Sequence, residues 1–159
     1  MRILGLDPGI AITGWAVLEI SGNKSTYIDG GVITTPAHEP TPQRLLTIYE
    51  ELEKIMNQFT PQAGAIEKLF FNSNQKTALT VSEARGVAVL QIARHHLNFV
   101  EITPLQVKQT LTSYGAASKN QVGQMVKLIL KLPTIPKPDD HADAVAIALT
   151  GVMYLPKLP

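Results

Sequence analysis

A chain of 159 residues without cysteine, carrying 14 Lys and Arg against 13 Asp and Glu, has room for one domain with its own core and excludes disulfide frameworks and thiolate metal sites. The net charge of +1 does not mark a polyanion-binding surface by itself; a nucleic-acid partner would need the basic residues clustered or helped by bound cations. The apolar run over 142–152 is broken by Asp143 and Thr150, and the chain opens on a strand instead of a basic and apolar leader, so neither a membrane span nor a signal peptide is expected and a reducing, cytoplasmic setting is compatible.

The first stretch, Arg2-Ile3-Leu4-Gly5-Leu6-Asp7-Pro8-Gly9, reads as an apolar strand with one acid at its end. Alternation puts Ile3, Gly5 and Asp7 on one side and Leu4 and Leu6 on the other. Asp-Pro-Gly is also ordinary turn chemistry, so Asp7 acquires a chemical meaning only if other carboxylates reach it. Residues 12–20 and 27–34 are rich in β-branched and aromatic types and complete an antiparallel meander of three strands. Thr41 and Pro42 open a helix in which Leu45, Ile48, Tyr49, Leu52, Ile55, Met56 and Phe59 recur at helical spacing. Residues 63–68 form a short strand that again ends in an acid, Ile66-Glu67, before the loop Leu69-Phe70-Phe71-Asn72-Ser73-Asn74.

A long helix is predicted over 74–96. Its second half, 87–93, is apolar over more than one stripe, which suggests that it packs on the sheet and on a further surface, either a second copy of the chain or nothing more than a scatter of Ala and Val. A strand over 98–102 follows. Thr103-Pro104-Leu105-Gln106 and Ser118-Lys119-Asn120-Gln121 are capping boxes that open two helices, the first carrying Lys108 and ending at Gly115. Pro133, Pro136 and Pro138 make a linker, and residues 139–144 open the last helix. The order of elements predicts an α/β domain with a five-stranded mixed sheet and helices on both faces.

Asp7 and Glu67 each end a strand, and the last helix offers more acid. Asp140 and Asp143 share a helix face, but Asp139 and Asp143 would serve equally on spacing alone. Acids in a first helical turn also suit the macrodipole without further purpose. Four carboxylates gathered in a partly buried site repel one another unless a cation neutralises them; an all-oxygen donor set favours Mg²⁺ or Mn²⁺. His141 projects about 100° from Asp140 around the helix and is expected to face away from such a site, into solvent. Lys119 sits in a first helical turn, where a cation is mildly disfavoured and an anion would relieve the conflict. Phe70 and Phe71 follow a strand end; an aromatic there can stack on a base, while Phe71 is expected to pack inside.

Gly5-Leu6-Asp7-Pro8-Gly9 with Thr13-Gly14-Trp15, Ile66-Glu67 with Phe70, Ala84-Arg85-Gly86, Thr103-Pro104-x-x-Val107-Lys108 and Asp140-x-x-Asp143-Ala144 together resemble the RuvC family of Holliday junction resolvases over nearly the whole chain. The resemblance implies a single ribonuclease H-like nuclease domain over 1–154 with a flexible tail over 155–159, a homodimer, a branch-migration helicase complex (RuvA, RuvB) as partner, and cytoplasmic location. It implies paired symmetric nicks in strands of like polarity at four-way junction DNA, with two Mg²⁺ per subunit for which Mn²⁺ substitutes. Residue by residue it assigns catalysis and metal binding to Asp7, Glu67, Asp140 and Asp143, and DNA binding to Phe70, Lys108 and Lys119. The family's Asp-x-x-Asp-Ala motif selects Asp140 and Asp143 over Asp139, and because some relatives carry histidine at the position of Asp140, the neighbouring His141 keeps the register open. The competing readings are a nuclease for RNA/DNA hybrids, a non-catalytic junction-binding protein, and a phosphate-binding domain like those of sugar kinases, which the short chain disfavours.

Overall fold

Alternation along the first strand decides which way the sheet's two faces look. In the computed structural model, which describes residues 1–68 and 75–156, β1 (Arg2–Asp7), β2 (Ile12–Ser21) and β3 (Lys24–Thr34) form the meander, and β4 (Ala63–Glu67) and β5 (Asn98–Ile102) join β1 in parallel. The spatial order is β3-β2-β1-β4-β5. Leu4, Leu6, Val17 and Ile66 point to one face, where α1 (Thr41–Phe59) and α2 (Gln75–Arg94) cover them. Ile3, Ala16, Ala63 and Ala65 point to the other, covered by α3 (Pro104–Thr112), α4 (Lys119–Leu130) and α5 (Asp139–Tyr154). Both faces are therefore dry, as β1 needs: Ile3, Leu4 and Leu6 are all fully buried, each burial being worth about 1.5–3 kcal/mol.

The α-helical boundaries follow local chemistry closely. Both predicted capping boxes form: Thr103 accepts from the Gln106 backbone while Gln106 reaches back, and Ser118 and Gln121 do the same. Two details differ. Pro40, not Thr41, takes the cap position of α1, because Pro42 fits either of the first two helical positions. Gly115 does not end α3; Ser113 does, in the left-handed region at φ 58°, with its N–H bonded to the Gln109 carbonyl. A polar, unbranched residue tolerates that conformation at modest cost, and Gly115 instead leaves room for the Leu105 side chain.

The breadth of apolar residues in α2 has a partner inside the chain. Ala84, Ala88 and Ile92 pack toward the sheet together with residues of α1, and the fully buried Gln91 donates its Nε2 to the Tyr49 carbonyl at 2.9 Å. Leu90 remains half-exposed. At the other end of the chain, Leu155 still packs against the core and its N–H bonds to Gly151 at 2.9 Å; residues 157–159 of the expected tail lie outside the described residues. Among the described residues no helix is long and apolar enough to cross a membrane.

α5 lies nearest the sheet because the facing positions are small. Ala144, Ala146 and Ala148 are buried, and a Cβ on Gly5 would overlap the Ala144 carbonyl and the Ala148 side chain. This close seating brings the first turn of α5 to the C-terminal ends of β1 and β4.

Candidate active site

β1 and β4 run in parallel with Leu6 beside Ile66, so the next residue of each, Asp7 and Glu67, leaves the sheet side by side. Both point to the α5 face, since they keep the parity of Gly5 and Ala65. Such ends of adjacent parallel strands are where open α/β sheets gather function. α5 supplies Asp140 and Asp143 from its first turn. The four carboxylates line one cleft of about 430 Å³ together with Lys108 of α3 and Lys119 of α4. Asp139 points elsewhere: it is exposed, 3.3 Å from Lys137, and lines the neighbouring hollow instead. Of the two residues that spacing alone left equal, Asp140 lines the cleft with Asp143 and Asp139 does not.

The electrostatics are those of an under-neutralised acid cluster. Burial, followed by repulsion from Glu67, Asp143 and Asp140, pushes the Asp7 carboxyl up to about 7, with Lys119 opposing. Burial and Asp143 raise Glu67 as well, while a hydrogen bond with Asp7 and the charge of Lys119 hold it down. Lys119 places its Nζ 2.9 Å from Asp143 Oδ2, and that bond raises the lysine above its ordinary range. The anion that Lys119 calls for at the start of α4 is therefore a carboxylate of the cleft. Among the described residues no three His, Asp or Glu side chains are already drawn close enough to hold one ion. The donor set nevertheless fits a hard divalent cation: all four groups are carboxylates in one cleft, and a cation would offset both the burial and the mutual repulsion that raise Asp7.

The loop after Asp7 is tied down from within. Thr13, fully buried, donates its hydroxyl to the Gly9 carbonyl at 2.7 Å. Thr35 donates to the Ile10 carbonyl and is itself held by Arg44 Nε at 2.8 Å. Glu67 is braced from behind by Arg85, whose Nε donates to the Glu67 carbonyl at 3.2 Å and whose guanidinium pairs with Glu101. Sequence reading noticed Ala84-Arg85-Gly86 without giving Arg85 a task; no local spacing links residues 67, 85 and 101. Gly14 is a second position whose role was hidden. It pairs with Asp7 across the β1–β2 ladder, and a Cβ there would overlap the Asp140 backbone.

His141 faces away from the cleft as expected, but not into solvent. It is 9 % exposed, with Nε2 3.1 Å from the Tyr27 hydroxyl and Nδ1 3.3 Å from the Lys137 carbonyl. Burial lowers its pKa, with the Lys137 carbonyl opposing. Helical periodicity fixes the direction of the side chain, and β3, far away in the chain, lies in that direction. Phe70 and Phe71 lie outside the described residues.

Comparison with known proteins agrees with this geometry. The family described as "Crossover junction endodeoxyribonuclease RuvC" matches residues 3–151. The chain is 54 % identical over 149 residues to the RuvC protein of Alkaliphilus oremlandii, covering 94 % of this chain and 91 % of the relative. It is 56 % identical to that of Ruminiclostridium cellulolyticum, covering 94 % and 90 %. Among solved structures it is similar to T. thermophilus RuvC in complex with Holliday junction substrate, at TM-score 0.92 and 35 % identity over 97 % of this chain and 94 % of that one. The yeast mitochondrial resolvase Ydc2, at TM-score 0.66 and 16 % identity over 93 % of this chain and 76 % of that one, shares the fold. With a ribonuclease H-like sheet, four acids converging on its open end and matches of this extent, the chain belongs to the RuvC family of crossover junction endodeoxyribonucleases.

Proposed function

We propose that this protein resolves four-way DNA junctions by nicking two strands of like polarity, each at one copy of the acidic cleft. The observation that carries the reading is the convergence of Asp7, Glu67, Asp140 and Asp143 on one cleft in a chain of this family. Asp7, Glu67, Asp140 and Asp143 would hold Mg²⁺, two ions per subunit, with Mn²⁺ able to replace it. When bound, such ions supply charge for activating a water and for stabilising the departing 3′ oxygen of an in-line displacement. The chain's own contribution is placement. β1 and β4 fix Asp7 and Glu67 on rigid strand ends, and α5 closes the set from above. Lys108 and Lys119 stand at the rim as phosphate partners; Lys119 exchanges its carboxylate for the substrate's phosphate once the acids are neutralised. Hydrolysis then leaves a 5′-phosphate and a ligatable 3′-hydroxyl. Phe70, three residues after Glu67 in the sequence, is the candidate for stacking on a junction base.

Selectivity for junctions asks for two clefts related by a two-fold axis, which a homodimer provides. The exposed Leu79 and Leu90 on α2 support association through that helix. By family resemblance the branch-migration proteins RuvA and RuvB would deliver the junction, in the cytoplasm.

The test is a substrate panel of synthetic mobile and immobile junctions, linear duplex and RNA/DNA hybrid, incubated with Mg²⁺, Mn²⁺ or EDTA, with nicks mapped at nucleotide resolution. Symmetric paired nicks in the junctions alone, absent in EDTA and in Asp7→Asn, are expected. Cleavage of the hybrid in preference to the junction overturns the substrate, and nicking by Asp7→Asn overturns the site. A single species at monomer mass in sedimentation at micromolar concentration removes the dimer.

A further inference from the structure

The positions of the two acids contributed by α5 depend on where the first turn of that helix stands. α3 and α4 both start with complete capping boxes, whereas α5 starts at Pro138 with no side-chain capping bond. Within that turn the His141 side chain reaches back to the Lys137 carbonyl and across to the Tyr27 hydroxyl on β3. A carbonyl can only accept, so Nδ1 carries the proton and Nε2 accepts from the tyrosine O–H; one neutral tautomer satisfies both contacts. We infer that His141, held by Tyr27, is a positioning residue that sets where Asp140 and Asp143 stand relative to Asp7 and Glu67. The inference deepens the metal-dependent nicking proposed above and rests on it.

The sheet is built to receive this contact. Along β3, Gly30 pairs with Ala16, Asp29 with Val17 and Tyr27 with Leu18, so Ile28 is an extra residue at a bulge. In a regular strand Tyr27 and Gly30, three apart, would point to opposite faces. The bulge reverses the parity and turns Tyr27 onto the α5 face beside Gly30; bulges near functional sites commonly re-aim a side chain in this way. Gly30 then leaves space for the imidazole, because a Cβ there would stand 2.5 Å from His141 Nε2. One strand over, Gly14 leaves space for the backbone of Asp140. The first turn of α5 thus touches the sheet at two adjacent points without an intervening side chain, and the Tyr27–His141 contact ties it to β3 by a hydrogen bond.

A residue that only packs would change stability and nothing else. A positioning residue changes the competence of the acids in protein that remains folded. The experiment compares wild type with Tyr27→Phe, which removes a single hydroxyl that does not line the cleft, with His141→Ala, and with His141→Gln, whose amide can still meet the tyrosine. Three quantities are read: single-turnover nicking of a synthetic junction in Mg²⁺, junction affinity in Ca²⁺, and Mn²⁺ binding to DNA-free protein by water-proton relaxation. Tyr27→Phe and His141→Ala are expected to slow nicking and to weaken Mn²⁺ binding about tenfold or more, the lower end of the range seen when partners behind metal ligands are removed, with junction affinity unchanged. His141→Gln should recover part of the rate when Tyr27 is present and none in the Tyr27→Phe background.

Wild-type rates and Mn²⁺ affinity in folded Tyr27→Phe and His141→Ala overturn the inference, as does a rate loss that matches the unfolded fraction alone. If His141→Ala does not fold, Tyr27→Phe and His141→Gln decide the matter. Failure of wild type to nick the junction counts against the proposed function instead, and the Mn²⁺ comparison of wild type with Tyr27→Phe still tests the placement.

Discussion

Replacing Asp7 by Asn should stabilise the metal-free protein while abolishing its activity. The Asp7 carboxyl has a folded-state value of about 7 against 3.8 for the unperturbed group, raised first by burial and then by the neighbouring acids. Below pH 3.8 both folded and unfolded chains hold that proton. Between 3.8 and about 7 the unfolded chain releases it and the folded chain keeps it, so stability falls as pH rises, and the loss is complete above about pH 7. The full shift corresponds to at most about 4 kcal/mol, and because Glu67 shares the repulsion we expect about 2–4 kcal/mol to be regained by the neutral amide. For a chain of this length that is a rise in Tm of about 5–15 °C.

The assay is calorimetric unfolding in EDTA from pH 4 to 8.5, read as the difference between variant and wild type. The difference matters because His141, whose pKa is lowered by burial, contributes in the opposite sense: its stability is lost as pH falls, in both proteins alike. The two curves should meet near pH 4 and separate toward pH 8. Added Mn²⁺ should raise the wild-type Tm at pH 8 more than that of Asp7→Asn, since a ligand stabilises only the state that binds it. An Asp7→Asn protein no more stable than wild type at pH 8, or a difference independent of pH, would refute the reading of an under-neutralised acid cluster.

Arg85→Ala removes the bond to the Glu67 carbonyl and the pair with Glu101; a loss of about 1–3 kcal/mol in urea unfolding is expected, with slower nicking that Arg85→Lys restores only in part. Gly14→Ala forces the Asp140 backbone away from β2 and should destabilise by about 1–3 kcal/mol while weakening Mn²⁺ binding; a wild-type Mn²⁺ titration would show that the close approach is unimportant. Ser118→Ala breaks the capping box of α4 and should cost about 1 kcal/mol in denaturant unfolding, with more fraying of the turn that carries Lys119 visible in hydrogen exchange. Lys119→Met removes the cation paired with Asp143; Mn²⁺ should bind the DNA-free variant more tightly, since the ion no longer displaces an ammonium, while nicking slows.

What the amino-acid order determined by itself is everything governed by short-range periodicity and end chemistry. Two-residue alternation placed Leu4 and Leu6 on one face of β1 and Asp7 on the other, and the helical repeat of α1 picked out Ile48, Leu52 and Met56, which are buried. The boxes at Thr103 and Ser118 marked two helix starts. The acids of the cleft were legible because each ends an element, and element ends are the points a fold can bring together. What only the tertiary structure decided involves residues far apart in the chain. The task of Arg85 behind Glu67, the need for glycine at position 14 and the burial of His141 beneath β3 all depend on strand register and on how α5 is seated. A single extra residue at Ile28 turns Tyr27 from one face of the sheet to the other. Because the side-chain period of a strand is two, that one-residue slip reverses the direction of the tyrosine without changing any local propensity, and the contact between Tyr27 and His141 of α5 exists only once the strands are paired.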